Sequence, residues 1–189
     1  MTAKVRFCAR CGASLADSAA AGLCARCHAR RAPAARILVG CLIRHADRLL
    51  WIRRALDPRR GFWSIPAGFL ECGETTAHAA ARELYEEVGL RVPDGAWRLH
   101  GLGSVRRMSE VYVVYRAAVE DPRLSLGDEV LEARFFRESE LPWADIAFPE
   151  INYLVRLTYA DIRRGKHGVY LADHERGAFV EQGEFDPRA

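Results

Sequence analysis

Residues 68–90 carry the sequence GFLECGETTAHAAARELYEEVGL, and this stretch decides the fold. Its apolar residues recur at positions i, i+4, i+7 and i+11, which places them on one side of a helix: Ala77, Ala81, Leu84 and Val88. Such a stripe is typical of a helix that packs on a protein core. Gly89 follows directly, and glycine commonly ends helices because it adopts the left-handed conformation without strain. The pattern predicts one amphipathic helix over residues 75–88.

Three acidic residues of this helix lie at positions i, i+3 and i+4: Glu83, Glu86 and Glu87. Successive helical residues are rotated by about 100°, so these three carboxylates, called the helix glutamates below, fall within one arc beside the apolar stripe. Like charges this close destabilise a helix, whereas a bound cation reverses that effect. Oxygen-only ligands favour a hard divalent ion such as Mg²⁺ or Mn²⁺. A solvated acidic helix face is the alternative interpretation of the three acids alone.

The longer pattern resembles the complete box of the Nudix hydrolase family. Gly68 is followed after five residues by Glu74, and after seven more by the run Arg82-Glu-Leu-Tyr-Glu-Glu-Val-Gly-Leu90. The resemblance implies an α+β fold, namely an α/β/α sandwich in which a mixed β-sheet lies between helices. It also implies a hydrolase that splits the diphosphate of a nucleoside diphosphate compound by attack of water, with Mg²⁺ or Mn²⁺ as cofactor.

The same resemblance implies a role for each matching residue of the box. The helix glutamates would bind the divalent ions, and the loop at Gly68 would add a backbone carbonyl. Glu74 would lie at the entrance of the helix, where a negative charge suits the helix dipole. Arg82 would hold the loop and a glutamate by ion pairing rather than contact the substrate.

Beyond the box, a further catalytic residue and three substrate contacts are candidates. Glu129 resembles the late glutamate that reaches the metal site from a loop in several relatives, and a surface loop acid is the alternative. Arg53 is a candidate for binding substrate phosphates, with an ordinary surface role as the alternative. Phe62 and Tyr112 are candidates for stacking on adenine or flavin, with core packing as the alternative.

Four cysteines near the N-terminus form two C-x₂-C pairs separated by twelve residues: Cys8, Cys11, Cys24 and Cys27. Each pair places two thiolates on one tight turn, and two turns supply four sulfur ligands for a tetrahedral Zn²⁺. Disulfides are less favoured because no secretory signal precedes the pairs, and a redox pair is less favoured because no βαβ pattern surrounds them. Four protein ligands leave no open position, so the pattern predicts a structural zinc ribbon and not a catalytic metal.

We therefore expect three parts, which are the zinc ribbon at residues 1–33, a Nudix domain at residues 34–165 and a C-terminal tail at residues 166–189. Apolar patterns within the middle part predict five strands and a second helix. The strands are expected at residues 37–43, 49–52, 97–105, 111–119 and 133–136, and the helix at residues 150–164.

Composition restricts the class of protein and its partners. Half of the 189 residues are hydrophobic and 28% are charged, which is typical of a folded, soluble chain. No apolar run approaches the roughly 20 residues of a membrane span, so we expect a cytoplasmic protein without a membrane partner. Residues 1–36 contain seven Lys or Arg against one Asp, a net charge of +6, and the rest of the chain carries −3. These basic residues leave nucleic acid open as a partner, although a ribbon whose basic residues only face solvent is favoured. A homodimer is also left open.

A four-cysteine ribbon before such a box resembles two groups within the family. The NADH diphosphatases carry the run SQPWPFPxS after the box, where this chain has GLGSVRRM at residues 101–108. The FAD and ADP-ribose diphosphatases are similar in their C-terminal half, at residues 110–115, 141–148 and 163–167. The resemblance thus implies ADP-ribose or FAD as substrate, with AMP released. An NAD(H) diphosphatase, a nucleotide-capped RNA hydrolase, and a nucleotide-sensing regulator whose ribbon binds nucleic acid or protein remain the alternatives.

Overall fold

The structure is a computed structural model that describes residues 7–8, 10–14, 23–28, 35–175 and 178–184. The chain divides into two compact units, residues 1–35 and residues 36–189. The expected boundary between residues 33 and 34 falls outside the described residues. Among the described residues, no helix is both long enough and apolar enough to cross a membrane.

The second unit is built on one mixed β-sheet. Its strands among the described residues are β1 Arg36–His45, β2 Arg48–Arg54, β3 Trp63–Ser64, β4 Ala67–Phe69, β5 Arg98–Val105, β6 Glu110–Ala118, β7 Val130–Phe136, β8 Tyr170–Glu175 and β9 Ala178–Glu184. They are ordered β3-β2-β1-β6-β5-β8-β9, while β4 pairs with β1 and β7 pairs with β2. The pairs β1–β6 and β5–β8 are parallel and the others are antiparallel. This mixed sheet with its helices confirms the predicted fold class.

Two helices cover the sheet, α1 at Thr76–Val88 and α2 at Asn152–Arg164. Each packs on its own layer of buried residues, because successive side chains of a strand point to opposite faces. The α1 layer includes Val39, Cys41, Ile43, Leu50, Ile52, Ala79, Ala80, Leu84, Val88 and Val130. The α2 layer includes Leu42, Leu49, Trp51, Tyr112, Val114, Phe136, Leu154, Val155 and Tyr159. The central strand β1 is thus buried on both faces, as its apolar run indicates.

Helix α1 begins and ends at the residues that its sequence predicts. The hydroxyl oxygen of Thr75 accepts a hydrogen bond from the backbone N–H of His78, which caps the first turn. Gly89 adopts the left-handed conformation with φ 69°, and its N–H donates to the carbonyl of Tyr85. The small residues Ala79 and Ala80 are fully buried, so the helix lies close to the sheet.

The C-terminal part of the chain differs from the expectation. Residues after 165, which we expected to form a separate tail, contribute β8 and β9 to the sheet. Helix α2 starts two residues later than expected, because a 3₁₀ turn at Pro149–Ile151 precedes it. The short apolar patch at residues 169–171 is the only local signal for β8, and the polar composition of the rest of this segment does not indicate strands.

Candidate active site

Strand β4 brings Gly68 directly against a carboxylate of α1. Gly68 pairs with Val39 of β1, and Val39 belongs to the α1 layer. A Cβ atom placed on Gly68 would lie 1.9 Å from Oε1 of Glu83, far inside van der Waals contact. The absence of a side chain at residue 68 therefore leaves the space that the Glu83 carboxylate occupies.

Arg82 links α1 to the loop that precedes it. Its Nε and Nη2 donate to the two carboxylate oxygens of Glu74 at 3.1 and 2.8 Å, and Nη2 also donates to the carbonyl of Phe69 at 3.1 Å. Its Nη1 donates to Oε1 of Glu83 at 2.7 Å. Hydrogen bonds from Arg82 lower the pKa of Glu74, with a further contribution from the backbone N–H of Glu71. The arginine thus holds the loop and Glu83 in one arrangement.

Glu83 and Glu87 form a pair of carboxylates on the inner side of α1, of which Glu87 is buried and Glu83 is half-buried. Glu87 is 7% exposed, and its Oε2 accepts a hydrogen bond from the backbone N–H of Ala67 at 3.2 Å. Burial, together with the neighbouring charge of Glu83, raises the pKa of Glu87 to about 8. Burial likewise raises the pKa of Glu83, although Arg82 opposes the effect. Two acids so placed repel one another unless a cation or a proton lies between them.

The third helix glutamate lies at the rim of this pair. The Glu86 side chain is 57% exposed and forms an ion pair with Nη1 of Arg82 at 3.2 Å. Glu86 can therefore reach a ligand only from the solvent side, whereas Glu83 and Glu87 lie against β4.

The loop before β7 packs on the end of α1 and carries Glu129. The N–H of Gly127 donates to the carbonyl of Glu87 at 3.0 Å, and a Cβ atom on Gly127 would lie 2.1 Å from the carbonyl oxygen of Glu86. The charge of Glu129 contributes to the raised pKa of both Glu83 and Glu87. Glu129 is thus near both acids, and its role in catalysis stays a prediction.

Arg54 is a residue of the site that the sequence analysis missed. It follows Ile52 by two positions, so it points to the α1 side of β2, and its positive charge lowers the pKa of Glu87. Its Nε donates to the carbonyl of Pro58 at 3.2 Å, and its guanidinium lies 5.2 Å from the centre of the Phe148 ring. Arg53 points to the opposite face, where its Nε donates to the carbonyl of Gly61 at 2.9 Å. Both arginines follow an apolar run that is buried on both faces, so only the pairing of β2 within the sheet shows which of them faces α1.

Of the two aromatic candidates, Tyr112 is not brought together with the helix glutamates. Tyr112 is buried in the α2 layer, on the opposite face of the sheet, which favours the core-packing alternative. Phe62 is half-buried after β2, with the guanidinium of Arg59 5.6 Å from the centre of its ring.

The first unit holds the four-cysteine cluster. All four sulfur atoms lie within 4.8 Å of one another, with Cys8 and Cys27 at 3.6 Å and Cys11 and Cys24 at 3.7 Å. A tetrahedral Zn²⁺ with bonds of about 2.3 Å separates its sulfur ligands by about 3.8 Å. No disulfide joins these four described cysteines. The cluster therefore fits a zinc ribbon.

Comparison with known proteins gives the same family from three directions. The profile of the NUDIX domain matches residues 34–157. The chain is 34% identical over 109 residues to "ADP-ribose pyrophosphatase" of Methanocaldococcus jannaschii, covering 56% of this chain and 64% of that protein. It is 32% identical over 147 residues to "NAD-capped RNA hydrolase NudC" of Salmonella heidelberg, covering 72% and 53%. The chain thus spans between about half and two thirds of the length of these two curated relatives.

A solved structure extends the match to nearly the whole fold. The crystal structure of a NUDIX hydrolase from Nitrosomonas europaea is similar with a TM-score of 0.76 and 33% identity, covering 89% of this chain and 98% of that one. Together with the intact box at residues 68–90 and the Glu83–Glu87 pair, these matches identify the chain as a member of the Nudix hydrolase family.

Proposed function

We propose that the chain is a divalent-metal-dependent hydrolase that cleaves the diphosphate bond of ADP-ribose or FAD and releases AMP. The observation that carries this proposal is the carboxylate pair Glu83–Glu87, which is held against the backbone of Gly68 and Ala67. A similar protein named ADP-ribose pyrophosphatase supports the choice of ADP-ribose.

The donor set fits Mg²⁺ or Mn²⁺. It consists of carboxylate oxygens from Glu83 and Glu87, with Glu86 at the rim and a backbone carbonyl at Gly68, and hard divalent ions prefer such oxygens. The raised pKa values of both acids mark a position where a cation would relieve their repulsion. When bound, such ions neutralise the diphosphate and lower the pKa of the attacking water.

The other residues of the site would position the reacting groups. Arg54 would bind a phosphate oxygen of the substrate, because its guanidinium lies on the α1 side near Glu87. Glu129 would hold the proton that the attacking water loses, since its carboxylate faces the same pair. Arg82 is engaged by Glu74, Glu83 and the Phe69 carbonyl, so it would position the acids without contacting substrate.

Zn²⁺ is the ion that we propose for the four-cysteine cluster. Its four sulfur atoms are at the spacing of a closed tetrahedral site, so the ion would stabilise the first unit and take no part in catalysis. We retain a homodimer and a cytoplasmic location as predictions for light scattering and cell fractionation.

A nucleotide-capped RNA hydrolase is the second candidate function. The match to a protein named NAD-capped RNA hydrolase NudC covers 147 residues, more than the match to the ADP-ribose pyrophosphatase. The basic residues of the first 36 positions would also suit an RNA substrate. A purely nucleotide-sensing regulator is less favoured, because all positions of the box are present.

A substrate panel tests both candidates. ADP-ribose, FAD, NADH, an NAD-capped RNA and nucleoside triphosphates are compared by kcat/KM with Mg²⁺ or Mn²⁺, and Glu87→Gln serves as the inactive control. We expect ADP-ribose or FAD to have the highest kcat/KM, AMP among the products, and ¹⁸O from solvent water in a product phosphate. A preference for NADH or the capped RNA would transfer the assignment to the second candidate. Turnover that Glu87→Gln retains in full would show that the assigned metal site is wrong.

A further inference from the structure

A cavity of about 710 Å³ lies where α2 ends, on the α2 side of the sheet. Its wall includes Leu42 and Leu49 of the α2 layer, and Thr158 and Ile162 of α2. The helix glutamates belong to a helix that packs on the opposite face. The cavity is therefore separate from the candidate active site, and we call it the α2-end pocket.

Basic side chains from three adjacent strands line this pocket. Arg98 of β5 is paired in register with Arg116 of β6, which is paired with Leu42 of β1, and Arg44 follows two residues later on the same face. Lys166, in the segment after α2, adds a fourth cation. The strands thus place three arginines at neighbouring positions at one end of the sheet. Nη1 of Arg98 donates to the carbonyls of Gly95 and Trp97, and Nη1 of Arg44 donates to the carbonyl of Ala46, so the other nitrogen atoms of these two groups are the ones available to a ligand.

The pocket contains one acid, and that acid is already satisfied. Asp161 is buried and pairs with Arg116 at 3.4 Å, while Tyr170 and the N–H of Gly168 donate to its two oxygens at 2.8 and 3.1 Å. In the part of the chain that the structure describes, Arg44, Arg98 and Lys166 have no carboxylate within ion-pair distance. Among the described residues, these three cations of the wall therefore have no acidic partner.

The pKa of His167, which also lines the pocket, agrees with an excess of positive charge in its wall. Burial lowers the pKa of His167, and the positive charges of Arg116 and Arg44 lower it further, against the opposing charge of Asp161. A positive potential disfavours a further cation at this position and favours an anion.

We propose that the α2-end pocket binds the phosphate group of a small phosphorylated molecule of nucleotide size. Arginine is suited to this ligand because its planar group donates two parallel hydrogen bonds to phosphate oxygens. Leu99, Ile162 and Val169 offer an apolar surface to the rest of the ligand. The volume lies within the roughly 300–1,000 Å³ of small-molecule sites. The site needs no divalent ion, since its own cations supply the charge, and it does not depend on the proposed function.

Calorimetric titration without added divalent ions tests the proposal. The probes are AMP, ribose 5-phosphate, inorganic phosphate and adenosine, and the proteins are the intact chain, Arg44→Glu and the control Arg123→Glu. Arg123 is 91% exposed and is not among the residues that line the pocket. Lys166→Glu is a second pocket variant, on an exposed segment, in case Arg44→Glu does not fold.

We expect the phosphorylated probes to bind with one site per chain and adenosine not to bind. The pocket variants should weaken binding by about tenfold, which corresponds to about 1.4 kcal/mol, and the control by less than about twofold, because only the pocket variants remove a positive charge that faces the ligand. Tighter binding of AMP than of inorganic phosphate would identify a nucleotide, and the reverse would identify free phosphate. Adenosine that binds as well as AMP, or binding that both pocket variants retain in full, would overturn the proposal. Because the substrate panel is measured separately, either idea can fail without the other.

Discussion

Replacement of Gly68 by alanine is the sharpest test of how the site is built. The added Cβ would lie 1.9 Å from Oε1 and 2.0 Å from Cδ of Glu83, so the carboxylate must move by about 1.5 Å to reach ordinary contact. The backbone itself is not strained, because Gly68 does not have a positive φ. A displacement of about 1 Å in a reacting group lowers turnover by about 100-fold. We therefore expect Gly68→Ala to reduce kcat on ADP-ribose by at least about 100-fold, with a change in stability of no more than about 1 kcal/mol.

The assay compares steady-state turnover with saturating Mg²⁺ and thermal unfolding of the same preparations. Gly95→Ala is the matched control, because a Cβ at this position meets nothing within 4 Å and needs no positive φ. If Gly68→Ala kept turnover within about twofold of Gly95→Ala, then the position of Glu83 would not matter for the reaction. The placement of the metal ligands argued above would then be wrong.

Three further predictions test other parts of the molecule. Arg54→Ala should lower kcat/KM by about tenfold or more, because a hydrogen bond to a charged group is lost, whereas Arg53→Ala should change it by less than about twofold. Equal effects of the two substitutions in steady-state kinetics would contradict the assignment of the two faces. Elemental analysis should find about one zinc ion per chain in the intact protein and none in Cys24→Ser, whereas replacing the exposed Cys72 by serine should leave the zinc content unchanged. Intact protein that is purified without chelator and lacks zinc would exclude the site. Burial lowers the pKa of His100 from about 6.5 to about 4, so between these two pH values His100 binds a proton in the unfolded chain but not in the folded chain. The part of the free energy of unfolding that His100 contributes should be constant above pH 7 and fall by about 3 kcal/mol as the pH decreases from 6.5 to 4, while Glu87, whose pKa is raised, changes the total in the opposite direction. The difference between urea titrations of the intact chain and of His100→Gln isolates this part, and a difference that does not change with pH would refute it.

The local features of the site were accessible from sequence. Thr75 and Gly89 are signals that act within one helical turn, so the limits of α1 could be predicted within one residue. The spacing of Glu83 and Glu87 likewise determines a shared helix face without knowledge of any other element. What this spacing does not reveal is burial, which depends on the approach of β4 and makes Glu87 an interior acid while Glu86 stays exposed.

Features that depend on strand parity were not accessible. Arg53 and Arg54 are adjacent, and which of them faces α1 depends on how β2 aligns with β7 and β3. Shifting the alignment by one residue exchanges the two faces, and the sequence has no local marker for that choice. Tyr112 illustrates the same limit, because its position in the α2 layer follows from its parallel pairing with Leu38.

The packing of residues 125–129 on the end of α1 fixes the place of Glu129 in the fold. Ser125 and Gly127 donate their N–H groups to the carbonyls of Val88 and Glu87, the last turn of the helix, where backbone acceptors otherwise lack partners. Glu129 therefore keeps its place through the helix end and not through the chain that leads to it from β6. Within the preceding segment, Val119 and Leu124 pack against the α1 layer, whereas Glu120, Asp121 and Arg123 are exposed. Substitutions at these three exposed positions would therefore leave the hydrogen bonds that hold the loop of Glu129 in place.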